Sequence, residues 1–243
     1  MASRPPVEAH DDLDSTNAEA RRRAEAGEAG PLWITAAVQT AGRGRRGRAW
    51  STGQGNLAAT LLMVTDARPA EAAQLSFALA LAAADLIDAC VGPGAARLKW
   101  PNDVLIHGRK AVGILAESGT RPDGHLWLAL GIGVNLASAP TNVERPATSL
   151  ADHMAGPPPG PQAALDVLAD GFERWRAAWA SEGFPPLAAA WTERAVGLGE
   201  RCEARMPAIT LTGVAEGLEP DGALRLRLDD GSLERVTAGD VFF

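Results

Sequence analysis

Apolar and polar positions divide the chain into distinct stretches. Residues 32–38, "LWITAAV", and residues 56–65, "NLAATLLMVT", are short, mostly apolar runs that predict strands, the second covered on both faces. Residues 70–90 are alanine-rich and free of Gly and Pro, which predicts one long buried helix. "DVLIHGRKAVGILAES" predicts two strands joined at residues 107–110, with Gly108 supplying the turn. Residues 125–135 form a further strand that ends in "GIGVN". Leu165, Leu168, Phe172, Trp175 and Trp179 recur at three- and four-residue steps, the stripe of an amphipathic helix, and Trp191 falls in a shorter helix after Pro186.

Punctuation agrees with this pattern. Thr16 and Glu19 have the spacing of a capping box at the start of "STNAEARRRAEAG", with Gly27 or Gly30 as the stop. "SAPTNVERPATSLADHMAGPPPGP" is a Pro-, Ser- and Thr-rich loop with a turn of helix near Leu150. Beyond Gly199, short β-like runs alternate with "EPDG", "DDGS" and "TAGD" turns, enough for a small barrel of about five strands. The expected division is therefore a main domain over residues 1–195 and a small β domain over residues 196–243.

Composition narrows the class. With 46% hydrophobic and 22% charged residues the chain is an ordinary globular one, long enough at 243 residues for a large domain and an appendage. Its 30 Asp and Glu against 23 Lys and Arg, a net charge of −7, argue against general nucleic-acid binding. Cys90 and Cys202 lack any metal-ligand spacing, so neither a zinc site nor a disulfide framework is implied. The first residues lack the apolar core of a signal peptide, and no run of about 18 apolar residues offers a membrane span. A soluble cytoplasmic protein is expected.

Against this acidic background, "TAGRGRRGRAW" packs Arg43, Arg45, Arg46 and Arg48 among glycines. The run from Gly42 to Gly47 satisfies G-x-G-x-x-G, but a dinucleotide-binding loop must open into a helix, and here more loop and then a strand follow. The loop still suits anions, because glycines allow close backbone approach and guanidinium groups match phosphate geometry. In "KWPNDVLIHGRKAVGILAE", Pro101 favours extended backbone at Trp100, which puts Asn102 and Asp103 at a strand start, where they could serve a magnesium ion or a nucleotide. Lys110, just past the turn, can reach into a site. Ser15, Thr16 and Asn17 at a helix start could hold a small polar ligand, and Gly131, Gly133 and Asn135 could lie beside one. Taken singly, each feature has a plainer explanation: a solvated loop, a turn, a surface charge, a helix cap, a strand end.

The order and wording of "DSTN", "QTAGRGRRGRAW", "KWPNDV", "GRKAVGIL" and "GIGVN" resemble the biotin–protein ligases over about residues 11–135, and the last segment is similar to that family's SH3-like barrel on looser grounds. The resemblance implies an α/β (α+β) catalytic domain with a mixed sheet and packed helices, similar to class II synthetase-like biotin/lipoate ligases. It also implies ATP and Mg2+ as cofactors and biotin as substrate. Biotinyl-5′-adenylate would form first, and the biotinyl group would then pass to a lysine of a biotin carboxyl carrier protein or domain. By the same likeness Ser15, Thr16, Asn17, Gln39, Arg43, Gly44, Arg45, Lys110 and Gly113 would bind biotin. Gly42, Arg45, Arg46, Arg48, Trp50, Asn102, Asp103 and Asn135 would serve ATP or the adenylate. Arg43, Arg45 and Lys110 would be catalytic and Asp103 would hold the metal. The loop at residues 42–50 would stand open without ligand and close on it.

Departures from the family pattern set further expectations. Only about ten residues precede the first motif, too few for the helix-turn-helix that some relatives carry, so no DNA partner is expected, and no membrane either. The chain ends in "DVFF" without a basic tail, so no ATP contact is assigned to the small domain. Thr40 stands where some relatives have a second Gln. A homodimer remains open. The rival readings are a lipoate- or octanoate-transferring enzyme of related fold and a nucleic-acid-binding module built on "RGRRGR".

Overall fold

Seven strands build the larger sheet: β1 (Val7–Leu13), β2 (Leu32–Gln39), β3 (Leu57–Thr65), β4 (Ala96–Lys99), β5 (Asp103–Ile106), β6 (Arg109–Thr120) and β7 (Leu126–Val134). The structure is a computed structural model that describes residues 4–121, 123–141, 143 and 145–243; Asn142 and Glu144 of the predicted Pro-, Ser- and Thr-rich loop lie outside the described residues. The sheet order is β1-β2-β3-β7-β6-β5-β4; β1 and β2 run parallel and every other pair is antiparallel. This is the mixed sheet expected. Two strands had no apolar signal to reveal them. β1, "VEAHDDL", is a charged edge strand, the type that resists pairing with other chains, and β4 has four residues.

Helix α1 (Thr16–Glu25) is capped by Ser15, whose hydroxyl accepts from the Ala18 amide at 3.4 Å. The cap is therefore one residue earlier than the Thr16–Glu19 spacing suggests, because the Thr16 hydroxyl is drawn to Gln39 and Thr60 instead. The single long helix predicted over residues 70–90 is two: α2 (Pro69–Ala73) and α3 (Leu75–Val91). Gln74 marks the junction. Its side chain accepts from Trp179 Nε1 at 2.8 Å and donates to the Pro220 carbonyl at 3.2 Å, tertiary bonds that local sequence does not announce. The stretch Pro69–Val91 has a mean hydropathy of 1.6, and 67% of that apolar window is buried inside the molecule, so its residues serve the core. The stripe helix α4 (Pro161–Glu182) and α5 (Pro185–Arg194) complete this layer; Trp191 meets Phe77 edge-on at 5.7 Å. Between β5 and β6, His107 (φ 47°) and Gly108 (φ 75°) form the tight left-handed turn that holds Lys110 just beyond it.

Five strands make a second sheet: β8 (Arg201–Arg205), β9 (Thr210–Leu218), β10 (Leu224–Leu228), β11 (Leu233–Val236) and β12 (Asp240–Phe242), all antiparallel, in the order β11-β10-β9-β8-β12. Among the described residues no pairing joins β11 to β12, so the sheet is consistent with an SH3-like fold but is not a closed barrel. β12 is three residues long and its backbone pairing is taken by β8. The two sheets share one core: Cys202, Leu224 and Val236 join the cluster that contains Trp33, Leu79 and Trp100. Trp100 Nε1 donates to the Gly222 carbonyl at 3.1 Å, and a side chain at Gly222 (φ +88°) would meet the Phe77 ring at 2.8 Å. This close docking carries β12 to the edge of the main sheet, beside the arginine loop.

Candidate active site

Glycines carve the floor of the site. Gly131, Gly133 and the following Asn135 lie on one face of β7, and on β6 Gly113 is paired with Gly133 and Leu115 with Gly131. An added Cβ would come within 1.9 Å of Asn17 Oδ1 at Gly131, 2.2 Å of the Trp50 indole at Gly133, and 2.8 Å of the same indole at Gly113. Only glycine lets Asn17 and Trp50 lie against the sheet. Between them opens a cavity of about 680 Å³.

The cavity gathers most of the residues nominated from sequence. Ser15, Thr16, Asn17, Gln39, Arg43, Gly44, Arg45, Arg48, Trp50, Asn102, Asp103, Lys110, Gly113 and Asn135 all line it, as do Gly131 and Gly133. Gly42 and Arg46 do not. Gly42 sits behind the wall, where its carbonyl accepts from the Trp50 amide at 2.9 Å and where a Cβ would be 2.4 Å from the Trp50 carbonyl oxygen. It closes the loop rather than touching the cavity. Arg46, left-handed at φ 57°, turns away to Asp240.

One end of the cavity is a neutral hydrogen-bonding network. Gln39 Oε1 accepts from the Thr16 amide (2.9 Å) and hydroxyl (3.2 Å), while Gln39 Nε2 donates to Thr52 (3.0 Å). The buried Thr60 hydroxyl lies 2.8 Å from Thr16 Oγ1 and 2.7 Å from Asn17 Oδ1. Asn17 Nδ2 donates to Glu117 (2.8 Å) and to the Leu115 carbonyl (3.2 Å). Ser15 Oγ accepts the capping bond, which leaves its own proton free for a ligand. These groups are fixed in orientation before anything binds.

The other end is charged. Lys110 pairs with Asp103, and its ammonium lies 5.5 Å from the Trp50 ring centroid. Arg45 donates to Asn102 Oδ1 at 3.1 Å and to the Gly239 carbonyl at 2.9 Å. Burial pushes the Arg45 guanidinium below its ordinary pKa. Arg48 (2.6 Å) and Arg46 (3.1 Å) both grip Asp240. Burial alone would raise the Asp240 carboxyl, but its hydrogen bond from Arg48 and the charges of Arg48, Arg145 and Arg45 outweigh that and hold it below the usual range. The loop is folded: Gly44 donates to the Arg48 carbonyl at 2.7 Å, Arg43 and Ala49 form a β-bridge, and Asp240 clasps it to β12.

Two residues here carried no sequence signal. Arg145 stands in the Pro-, Ser- and Thr-rich loop, outside every motif, and Asp240 belongs to a stretch legible only as a turn. Asp240 lines the cavity, so the small domain, to which the sequence assigns no ATP contact, contributes a residue to it.

A magnesium ion is poorly served. Such an ion usually takes one or two carboxylates together with substrate phosphates. The two cavity carboxylates are already engaged, Asp103 by Lys110 and by Arg145 at 3.6 Å, Asp240 by Arg46 and Arg48. Among the described residues no three His, Cys, Asp or Glu side chains cluster for a metal. The donor set does not build a protein-held ion at Asp103, and no step is derived through one.

Known proteins share this architecture. The profile of the Biotin/lipoate A/B protein ligase family matches residues 12–135, and that of the Biotin protein ligase C terminal domain matches residues 197–243. A biotin–[acetyl-CoA-carboxylase] ligase of Paracoccus denitrificans is 45% identical over 95% of this chain and 97% of its own length. The corresponding Mycobacterium tuberculosis ligase is 34% identical over 93% and 85%. The Aquifex aeolicus biotin protein ligase, solved in complex with biotin and ATP, superposes with a TM-score of 0.82 over 98% of this chain and 97% of its own, at 23% identity, a likeness of fold. With this sheet, this glycine-floored cavity and these matches, the chain belongs to the Biotin/lipoate A/B protein ligase family.

Proposed function

We propose that the protein is an ATP-dependent biotin–protein ligase that acts through biotinyl-5′-adenylate. The observation that carries this reading is one cavity with a neutral hydrogen-bonding end at Ser15, Thr16, Asn17 and Gln39 and a cationic end at Arg45 and Lys110. From Gly131 to Asn135 the floor runs about 13 Å at the usual strand rise. Biotin has the matching form: a neutral ureido head rich in donors and acceptors, an aliphatic tail, and a terminal carboxylate. The neutral end would hold the ureido group, with Ser15 donating to its oxygen. Trp50 and the glycine floor would flank the tail and the adenylate.

At the cationic end, Arg43, Arg45 and Lys110 offset the repulsion between the carboxylate and the triphosphate. A carboxylate oxygen attacks the α-phosphorus, and pyrophosphate leaves with the electron pair of the broken P–O bond. The amine of a carrier lysine then attacks the acyl carbon, AMP leaves, and the amine loses a proton to solvent. Gly44 and Arg45, held over the adenylate by the Asp240 clasp, would keep water from the mixed anhydride between the two steps. The acceptor is a lysine of a biotin carboxyl carrier protein or domain, and the reaction is assigned to the cytoplasm.

The buried polar network weighs against a lipoyl or octanoyl substrate. A dithiolane or alkyl head would leave the free Ser15 proton facing apolar surface, and sites built to hydrogen-bond reject ligands that cannot do so. A nucleic-acid module is disfavoured because Arg45, Arg46 and Arg48 are turned to Asn102, Gly239 and Asp240 of the chain itself. Incubation with MgATP, biotin and a purified carrier domain, followed by mass spectrometry, tests the reading. One biotinyl group should appear on the carrier; transfer of lipoate instead, or no transfer, would overturn it.

A further inference from the structure

The cationic end of the cavity holds a guanidinium that the arrangement described above does not use. Arg145 lines the cavity, yet among the described residues its buried Nε and Nη2 atoms have no hydrogen-bond partner. Among the described residues it forms ion pairs with Asp103 Oδ2 at 3.6 Å and Asp240 Oδ1 at 3.8 Å, both too long for hydrogen bonds. The charge is offset by these two carboxylates, but a buried N–H without a hydrogen bond still bears a desolvation penalty, so such a group calls for an explanation.

Its surroundings show what would satisfy it. The Arg145 guanidinium carbon lies 4.6 Å from the Phe242 ring centroid, a cation–π contact that ties the group to β12. The backbone next to it is locked to that of Lys110: the Lys110 amide donates to the Pro146 carbonyl and the Thr148 amide to the Lys110 carbonyl, both at 2.9 Å. Arg145 is thereby fixed relative to Lys110, at the end of the floor marked by Asn135. Three of the other cationic groups there have partners, Lys110 with Asp103, Arg45 with Asn102 and Gly239, and Arg48 with Asp240, while Arg43 is exposed on the loop. Among the described residues, five cationic and two acidic side chains line the cavity of a chain whose net charge is −7. That local excess fits a polyanion, and a planar guanidinium fork that lacks hydrogen bonds among the described residues fits phosphate oxygens.

We propose that Arg145 binds the β- and γ-phosphates of ATP and the pyrophosphate they become, drawing its unpaired N–H groups onto their oxygens. The inference rests on the ligase reading and adds a residue to it. Phe242 and Asp240, both on β12, position Arg145, which gives the small domain an indirect part in nucleotide binding.

Two partial reactions separate this role from a structural one. Biotin-dependent ATP–pyrophosphate exchange needs the terminal phosphates, whereas transfer from synthetic biotinyl-5′-adenylate to a carrier domain does not. Arg145→Ala should raise the KM for ATP about tenfold or more and weaken inhibition by added pyrophosphate by a similar factor. Transfer from the adenylate and the affinity for biotin should stay within about twofold of wild type. Arg145→Lys, which keeps the charge but not the fork, should fall between. An unchanged KM for ATP in Arg145→Ala, or a parallel loss in the adenylate transfer, would overturn the assignment. Failure of the ligase reading would appear differently, as absent exchange in the wild-type protein.

Discussion

Two glycines two residues apart on β7 should separate the ends of the cavity. In Gly131→Ala the new Cβ would sit 1.9 Å from Asn17 Oδ1. An ordinary contact needs about 3.4 Å or more, so the Asn17 amide must retreat by about 1.5 Å. That retreat strains its bonds to Glu117 and the Leu115 carbonyl and its contact with Thr60. Overpacking of this kind carries about 1–3 kcal/mol, which is about 5- to 150-fold in an equilibrium constant if it falls on ligand binding. In Gly133→Ala the Cβ would instead meet the Trp50 indole at 2.2 Å and displace it from the floor, leaving the Asn17 network intact. Titration calorimetry should find Gly131→Ala losing biotin affinity by at least about fivefold. Gly133→Ala should bind biotin with a smaller loss and show the larger rise in the KM for ATP. Melting curves distinguish these effects from loss of fold. Wild-type biotin affinity in Gly131→Ala, or the same loss of biotin affinity in both variants, would refute the placement of the biotin head beside Asn17.

Other perturbations probe the loop and its clasp. Arg45→Ala removes the bridge from the loop to Asn102 and Gly239, so it should still form some adenylate but release it faster, which a filter assay measures. Asp240→Asn removes the shared anchor of Arg46 and Arg48; with both arginines nearly half exposed, the two ion pairs together contribute about 1 kcal/mol. The loop at residues 42–50 should then be cut by trypsin about fivefold faster without ligand, and saturating biotin and ATP should narrow the gap to wild type; equal cutting rates for the two proteins would count against the clasp. At the entrance to α1, the hydrogen bond from Arg22 holds the Asp14 carboxyl at about 2, below its ordinary 3.8. Because the folded value is the lower one, this stabilisation is present above about pH 4 and disappears as pH falls toward 2. Asp14→Asn should therefore reduce stability at pH 7 by at most about 1 kcal/mol, given the exposure of the pair, and denaturant titrations should show that difference vanishing near pH 2.

Local sequence determined a great deal of this protein. Alternating and periodic apolar residues announced β2, β3, β5 to β7 and the stripe helix α4, because strand and helix periods are written within a few neighbouring positions. The arginine-glycine loop, "KWPND", "GRK" and "GIGVN" were legible as chemistry, since each motif carries its donors and its backbone freedom within a short stretch. Other features existed only once the chain had folded. The break between α2 and α3 depends on Gln74 reaching Trp179 and Pro220. β1 is stable because β2 supplies its partner, not because its residues are apolar. The glycine floor has meaning only against Asn17 and Trp50, which lie more than 60 residues earlier in the chain. Arg145 and Asp240 remained silent for the same reason: Asp240 meets Arg48 across 192 positions of sequence, and Arg145 gains its setting from Lys110, Asp103 and Phe242 together. Residue types and spacing determined which groups were available for the chemistry. Long-range packing, which no local propensity encodes, decided which of them share a cavity and which are held by partners.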